Sequence, residues 1–172
     1  MSNGHVRNRL AASPAGGRPW GSRAGFTLPE LLVAITIVGI LAAMAAPSFS
    51  GLIASQRAKA VASELFATLS RARSEAIARN AAVTLSPKAG DWKNGWQILD
   101  PANVANVLDD RGSATGASIT GPANVIYRAS GRLQAGAAPS FLITATSGST
   151  TTYQCVSVDL SGRPYMLAAS SC

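Results

Sequence analysis

The sequence predicts an α+β protein in which one long N-terminal helix packs on an antiparallel β-sheet or a small β-sandwich. Three features of the 172 residues predict it. Residues 26–46 form an apolar run, and residues 47–80 repeat apolar side chains at spacings of three and four, as in an amphipathic helix. Residues 81–172 alternate short apolar segments with clusters of Gly, Pro, Ser and Asp, which is typical of strands and turns.

The apolar run at 26–46 is long enough to cross a membrane. It contains 21 residues with Glu30 as its only charge, and as a helix it would be about 31 Å long. The preceding residues 1–25 carry four arginines and no acid, which places them in the cytoplasm and the C-terminal body outside. A secretory signal peptide is the alternative, although its apolar region is usually shorter and uncharged.

The helix is predicted to continue to about Arg79, with Asn80 as its C-terminal stop. Pro47 cannot donate a backbone hydrogen bond, so a kink is expected near residues 43–47. The predicted apolar face of this half comprises Phe49, Leu52, Ile53, Val61, Leu65, Phe66, Leu69, Ala76 and Ile77.

Six strands are predicted in the C-terminal region, at 81–86, 95–100, 124–128, 140–146, 152–159 and 164–169. Residues 101–121 are expected to form a long loop, with 103–108 as an optional short strand. Trp92 and Trp96 are expected to pack the sheet onto the helix, with a ligand platform as the alternative.

The composition argues against an enzyme, a metal site or a cofactor. The single histidine is His5, and no nucleophile with a base or set of metal ligands is recognisable. A calcium loop is an alternative to a solvated turn for one polar stretch, but the ligand spacing of an EF-hand is missing. The residues concerned are Asp100, Asn103, Asn106, Asp109 and Asp110.

The stretch Gly25-Phe26-Thr27-Leu28-Pro29-Glu30-Leu31-Leu32-Val33 resembles the class III signal of type IV prepilins and type II secretion pseudopilins. The resemblance implies that a prepilin peptidase cuts between Gly25 and Phe26 and methylates the new amino terminus at Phe26. Residues 1–25 would then be a cleaved cytoplasmic leader. Residues 26–46 would be the transmembrane half of the helix, 47–80 its periplasmic half, and 81–172 a periplasmic β-rich domain with the pilin fold.

Glu30 is the costly residue of this segment, because a carboxylate inside a bilayer costs about 2.5 to 3.5 kcal/mol. The resemblance implies that Glu30 assists assembly by pairing with the N-terminal ammonium of a neighbouring subunit. The alternative is an acid favoured only by the dipole of the helix.

Residues 56–60 and the stretch LSRARSEAIARN at 69–80, followed by Val83-Thr84-Leu85 and Gly95-Trp96, resemble the GspH/FimT branch of that family. The resemblance implies a minor pilin that initiates or caps a type IV pilus, anchored in the inner membrane and carried into the pilus. Its partners would be the prepilin peptidase and other minor and major pilins. The alternatives are a DNA-binding minor pilin for natural transformation and a type II secretion pseudopilin H.

Some FimT-like proteins bind DNA through a Gly-Arg-x-Arg motif in the C-terminal loop, and this chain has Gly162-Arg163-Pro164-Tyr165 there. Arg163 is expected to contact double-stranded DNA, with Arg132 and Arg128 nearby and Tyr165 available for stacking. The alternative is that these arginines are merely solvated.

The two cysteines, Cys155 and Cys172, lie in the region expected outside the cytoplasm, where disulfides persist. A bond between them would close a loop of about 18 residues and stabilise the fold by about 3 kcal/mol. A catalytic thiol or a metal pair is the alternative.

Overall fold

The computed structural model describes residues 25–172, except for the side chains of residues 45–48. The expected leader, residues 1–25, therefore lies outside the described residues apart from Gly25. Helix α1 spans Leu28–Arg79. Asn80 ends it in the left-handed conformation with φ +48°, and Ala81 N–H donates to Ala76 O at 3.2 Å. This C-terminal closure confirms the predicted stop, because Asn tolerates this conformation better than most residues.

The described chain divides into two compact units, with the boundary between Gly39 and Ile40. Among the described helices, none passes a length and hydropathy test for a membrane span by itself. The segments Leu28–Met44 and Phe49–Arg79 pass it together as a bent pair, by length and composition alone. The break between them includes Pro47, near which the sequence predicts a kink.

Within residues 25–172, eight strands form two antiparallel four-stranded sheets, which agrees with the predicted α+β class. The first sheet has the order β3-β2-β1-β5 and the second the order β4-β6-β7-β8. The strands are β1 Val83–Pro87, β2 Trp96–Leu99, β3 Val107–Asp110, β4 Ala117–Thr120, β5 Val125–Tyr127, β6 Ser140–Ser147, β7 Thr150–Val158 and β8 Pro164–Leu167. Short 3-10 helices occur at Lys88–Gly90 and Trp92–Asn94.

Residues 101–121 are more ordered than the sequence predicts. The optional strand at 103–108 lies instead at Val107–Asp110, and a second strand, β4, occupies Ala117–Thr120. In β4 only Ile119 is buried, so a single apolar residue is all that indicates this strand in the sequence. Its place is set by pairing with β6, where Ile119 lies opposite Ile143.

One hydrophobic core joins α1 to both sheets. The helix contributes small and medium side chains, spaced by three and four residues, that leave room for the strands. Its buried members are Ala58, Val61, Ala62, Leu65, Leu69, Ala72 and Ala76; the first sheet adds Val83, Leu85, Trp96, Ile98, Val125 and Tyr127, and the second adds Ile119, Phe141, Ile143, Ala145, Val156 and Val158.

Trp92 and Trp96 pack inside this core, as the sequence predicts. Trp96 is 1% exposed, and its Nε1 donates to Thr68 Oγ1 at 3.1 Å. Trp92 packs edge-on against Phe141 with ring centroids 4.8 Å apart, and its Nε1 donates to Pro122 O at 2.7 Å. Because both indole N–H groups find acceptors, their burial costs little.

Candidate functional site

The N-terminal end of α1 presents the residues of the expected processing signal. Gly25, Phe26 and Thr27 precede the helix, and Phe26 is 78% exposed. Leu31 N–H donates to Thr27 O at 3.1 Å. Pro29 lies in the first turn, where a backbone N–H would have no acceptor within the helix.

Glu30 is exposed in this first turn, surrounded in sequence by exposed apolar side chains such as Leu28, Leu31 and Leu32. Within residues 25–172 it has no ion pair. A charge on an otherwise apolar helix surface is therefore available to a group from another molecule.

Two turns of identical backbone pattern lie at one end of the sheets. In the first, Gly131 N–H donates to Arg128 O and Arg128 N–H donates to Arg132 O, both at 2.8 Å. In the second, Gly162 N–H donates to Asp159 O at 2.8 Å and Asp159 N–H donates to Arg163 O at 3.1 Å. Each turn thus ends on a glycine followed by an arginine. We call them the two Gly-Arg turns, 128–132 and 159–163.

The two Gly-Arg turns are in direct contact, and glycine is required at the point of contact. A Cβ on Gly162 would lie 2.0 Å from Gly131 O, and Gly162 has φ +88°. Only glycine satisfies both demands at this position. Arg132 and Arg163, which follow these two glycines, therefore occupy equivalent positions of two turns that touch.

Arg73 of α1 bonds both turns. Its Nε donates to Gly131 O at 3.1 Å, and its Nη2 donates to Ser161 O at 3.4 Å. Asp159 closes the second turn from within, because its carboxylate accepts from Ser161 Oγ at 2.5 Å and from Arg163 N–H at 3.0 Å. These two hydrogen bonds, chiefly the one from Ser161, lower the pKa of Asp159.

The role of Arg73 was not predicted from the sequence. Its signal is positional: residue 73 is four after Leu69 and three before Ala76, both fully buried. An arginine so close to the buried face of a helix needs hydrogen-bond acceptors from the segments that pack against that helix. The carbonyls of the two turns meet that need.

Beneath the turns lies Tyr127, which is fully buried. Its hydroxyl has no hydrogen-bond partner within residues 25–172. Burial raises the pKa of Tyr127 well above its usual value, and the positive charge of Arg73 opposes this rise only in part. Tyr127 is therefore neutral at physiological pH and serves as a packing residue below the turns.

The predicted DNA-contacting arginines Arg128, Arg132 and Arg163 are all exposed. Within the described part of the chain none of them pairs with a carboxylate. Tyr165 lies on β8, two residues beyond Arg163, and is 44% exposed. The structure thus brings the predicted arginines together on the two Gly-Arg turns.

Five other basic residues differ from the arginines of the two Gly-Arg turns, because each of the five has a carboxylate partner. Arg71 is 3.4 Å from Asp109, and Lys88 pairs with Asp110. The other pairs are Arg79 with Glu75 and Asp100, Lys93 with Asp91, and Arg111 with Glu64 and Asp109. Within residues 25–172, Arg128, Arg132 and Arg163 thus differ from these five residues in forming no ion pair, as do Arg57 and Lys59 on α1.

In the polar stretch considered for calcium, Asp100 and Asn103 close turns, whereas Asp109 and Asp110 lie in β3 and form ion pairs. Asp100 Oδ1 accepts from Ala102 N–H, and Asn103 Oδ1 accepts from Ala105 N–H, both at 3.0 Å. No cluster of metal-ligating side chains occurs among residues 25–172. The side chains of Asp100 and Asn103 bond the backbone, as in Asx turns.

Cys155 and Cys172 form a disulfide with their Cα atoms 5.6 Å apart. The bond joins the middle of β7 to the last residue of the chain. Cys155 is 1% exposed, so the C-terminal tail is fixed to a buried point of the second sheet.

Comparisons with known proteins agree with this architecture. Residues 61–162 match the model of the family described as type II transport protein GspH, and residues 20–46 match the prokaryotic N-terminal methylation motif. Among curated proteins, none is similar enough in sequence to count as a match.

Two crystal forms of the type IV minor pilin FimU from Pseudomonas aeruginosa (strain PAO1) are similar in structure. The first has a TM-score of 0.57 and 25% identity, covering 69% of this chain and 92% of that one. The second has a TM-score of 0.54 and 26% identity, covering 66% of this chain and 94% of that one. With an N-terminal methylation motif, a long helix on two antiparallel sheets and a family match over more than half of its residues, the chain belongs to the GspH family of type IV minor pilins and pseudopilins.

Proposed function

We propose that the protein is a minor pilin that initiates or caps assembly of a type IV pilus. The observation that carries this proposal is the likeness to the minor pilin FimU, which extends over 92% of that structure. The N-terminal methylation motif supports the same conclusion, because it supplies the processing signal such a subunit needs.

In this proposal the chain is made as a prepilin of the inner membrane. Residues 1–25 remain cytoplasmic until prepilin peptidase cuts between Gly25 and Phe26 and methylates Phe26. Residues 26–46 hold the protein in the membrane, and the sheets face the periplasm. After processing, the protein joins other minor and major pilins in the filament.

Glu30 assists assembly by meeting the new N-terminal ammonium of a neighbouring subunit. Alone in the bilayer its carboxylate would cost about 2.5 to 3.5 kcal/mol. Pairing with an opposite charge offsets this cost, so assembly is favoured over the separate membrane-embedded state. Its exposure and its lack of an ion pair within residues 25–172 support this role.

The experiment compares Glu30→Ala with Thr36→Ala in cells that lack the wild-type chain. Thr36 is a matched control, since it is another exposed polar residue of α1 and bonds only the carbonyl of Leu32, at 2.7 Å. Both variants should reach the membrane, and only Glu30→Ala should lose pili and incorporation into sheared filaments. Normal piliation with Glu30→Ala would refute the assembly role of Glu30.

The same cells separate a pilus subunit from a secretion pseudopilin. Deleting the gene should abolish or strongly reduce surface pili and leave type II secretion of exoproteins intact. The opposite result, normal pili with impaired secretion, would assign the protein to the secretion system.

Duplex DNA is a second candidate ligand, favoured by one observation. Arg128, Arg132 and Arg163 carry unpaired charge on two turns that Arg73 holds together. Each phosphate neutralised adds to affinity and to its salt dependence. Tyr165 stands where the DNA-binding relatives have a second arginine, so the site would be weaker than theirs.

The DNA candidate is tested by titrating labelled duplex with the full mature chain in detergent at two salt concentrations. Arg163→Ala and Arg132→Ala should weaken binding, and Arg79→Ala, at an ion-paired residue, should not. Tyr165→Arg should strengthen binding at low salt by about fivefold, as expected for one added phosphate contact. No salt-dependent binding by the wild type and no gain with Tyr165→Arg would exclude DNA as a ligand.

A further inference from the structure

The second sheet leaves part of one strand edge uncovered. On one side, β7 pairs with β6 from Thr150 to Ser157. On the other side, β8 covers only Cys155 to Val158. No strand among residues 25–172 pairs with the remaining edge of β7, residues 150–154. We call this segment the open edge.

The backbone groups that face the open edge can be identified. Val158 N–H donates to Pro139 O at 3.0 Å, on the side of β6. Because backbone groups alternate between the two sides of a strand, Thr152 and Gln154 also face β6. Thr151 and Tyr153 therefore direct their N–H and C=O groups to the open edge, where they can bond another extended chain.

The disulfide prevents the protein's own C-terminal tail from pairing along the whole of this edge. In β8, Leu167 lies opposite Cys155. If β8 continued in register, Cys172 would lie opposite Thr150, about 17 Å from Cys155 along the strand. The observed Cα separation of Cys155 and Cys172 is 5.6 Å. The disulfide and a longer β8 are thus mutually exclusive, and the tail must turn back.

A shallow groove of about 420 Å³, largely open to solvent, lies beside the open edge. One wall is the tail at 168–170, and the other is α1, which contributes Ser55 and Lys59. Lys59 is exposed and has no ion pair within residues 25–172. A segment lying in the groove would thus bond a backbone edge and meet one free positive charge.

The acidic residues of this chain are poor candidates for the carboxylate that would meet Lys59. Apart from Glu30 in the apolar segment, every acidic residue of the chain is already engaged by groups of its own chain. These are Glu64, Glu75, Asp91, Asp100, Asp109, Asp110 and Asp159. A second copy of this chain offers no free acidic segment among its described residues.

We propose that the groove receives an extended acidic segment of a different pilin subunit, which adds a strand to β7 and places a carboxylate beside Lys59. The backbone of Thr151 and Tyr153 supplies affinity for any extended chain, and Lys59 selects for an acidic one. This inference rests on the proposed function, in which the protein assembles with other pilins.

The test uses the full chain in living cells that assemble pili. Benzoylphenylalanine, a photo-reactive residue, replaces Tyr153 at the open edge or, as a control, Val104 on an exposed loop. After irradiation, mass spectrometry identifies the peptide attached to each position. We expect position 153 to attach to an acid-containing segment of another pilin subunit, and position 104 not to do so.

Two variants test whether the adduct depends on strand addition. Thr151→Pro removes an N–H that faces the open edge and leaves pairing with β6 intact, whereas Thr151→Ala keeps that N–H. The adduct should fall by about five- to tenfold with Thr151→Pro, as expected for one lost hydrogen bond, and stay nearly unchanged with Thr151→Ala. Should Thr151→Pro fail to fold, Lys59→Glu must lower the adduct while Lys59→Arg preserves it.

The proposal is overturned if position 153 attaches to the chain's own tail, to a second copy, to a protein that is not a pilin, or to nothing. An adduct equally strong in all four variants also overturns it. Counting pili in cells that lack the gene distinguishes a failure of the groove proposal from a failure of the proposed function. If pili require the chain but position 153 gives no pilin adduct, only the groove proposal fails, whereas unchanged pili and secretion in the deletion would remove both.

Discussion

Helix α1 contains two regions that differ in how they use apolar side chains. From Leu28 to Ile53 the large apolar residues are exposed, apart from residues 45–48, whose side chains are not described; Leu52, for example, is 54% exposed. From Ala54 to Ala76 a stripe of mainly Ala and Leu is buried against the sheets, and Leu65 and Leu69 are fully inaccessible. A single helix thus serves two environments.

Along this helix, the region with the larger apolar side chains is the exposed one, and the region with the smaller apolar side chains is the buried one. Large exposed side chains suit a lipid or protein environment that the folded domain does not supply. Small buried ones suit close approach of the helix to its own strands. Changes in the first region should therefore affect membrane insertion and assembly, and changes in the second should affect folding.

The largest expected effect is on the packed region. Leu69→Ala should lower the free energy of unfolding by about 2 to 5 kcal/mol, because it removes a fully buried side chain and leaves a cavity. Leu52→Ala removes the same atoms from an exposed position and should leave the stability of the domain nearly unchanged. Denaturant unfolding of the full mature chain in detergent measures both. Equal losses in the free energy of unfolding for the two variants would contradict the distinction between the packed and the exposed region.

Removing the disulfide should have the next largest effect. Cys172→Ala opens the loop closed through Cys155 and should lower the free energy of unfolding by about 3 kcal/mol, since the unfolded chain regains freedom. Reductant should destabilise the wild type to a similar extent and leave Cys172→Ala unchanged. Destabilisation of Cys172→Ala by reductant would show that the bond is not the cause.

A smaller effect is expected where the packed region buries a polar group. Thr68 is 1% exposed, accepts from Trp96 Nε1 and donates to Glu64 O at 2.9 Å. Thr68→Val should lower the free energy of unfolding by about 1 to 3 kcal/mol, because the indole N–H stays buried without an acceptor. Thr68→Ser keeps the hydroxyl and should lose less. A Thr68→Val protein as stable as the wild type would mean that this hydrogen bond contributes nothing.

Much of the packed region could be predicted from the sequence because its signals are local. The stop at Asn80 depends on one residue that tolerates the left-handed conformation. The alternation in β6 and β7 is strong because their buried faces include Phe141, Ile143 and Val156. The processing signal is equally local, since it depends on the spacing from Gly25 to Glu30.

What could not be predicted depends on contacts between distant segments. Phe49, Leu52 and Ile53 belong to the predicted apolar face, yet they are exposed. In this turn it is Ser50 and Gly51 that contact Thr150 of the second sheet, and the buried stripe begins at Ala54. The spacing of apolar residues by three and four predicts a helix, but it does not predict how many turns of that helix the sheets cover. The contact of Gly131 with Gly162 and the hydrogen bonds of Arg73 arise only when two turns far apart in sequence meet.

If the exposed apolar region belongs to a processed, membrane-anchored pilin subunit, the intact mass of the protein from the membrane fraction will show it. In cells with active prepilin peptidase we predict a chain that begins at Phe26, lacks residues 1–25 and carries one added methyl group. In cells without the peptidase the leader should be retained. A mass that includes residues 1–25 while the peptidase is active, or a cut at any other position, would contradict the account.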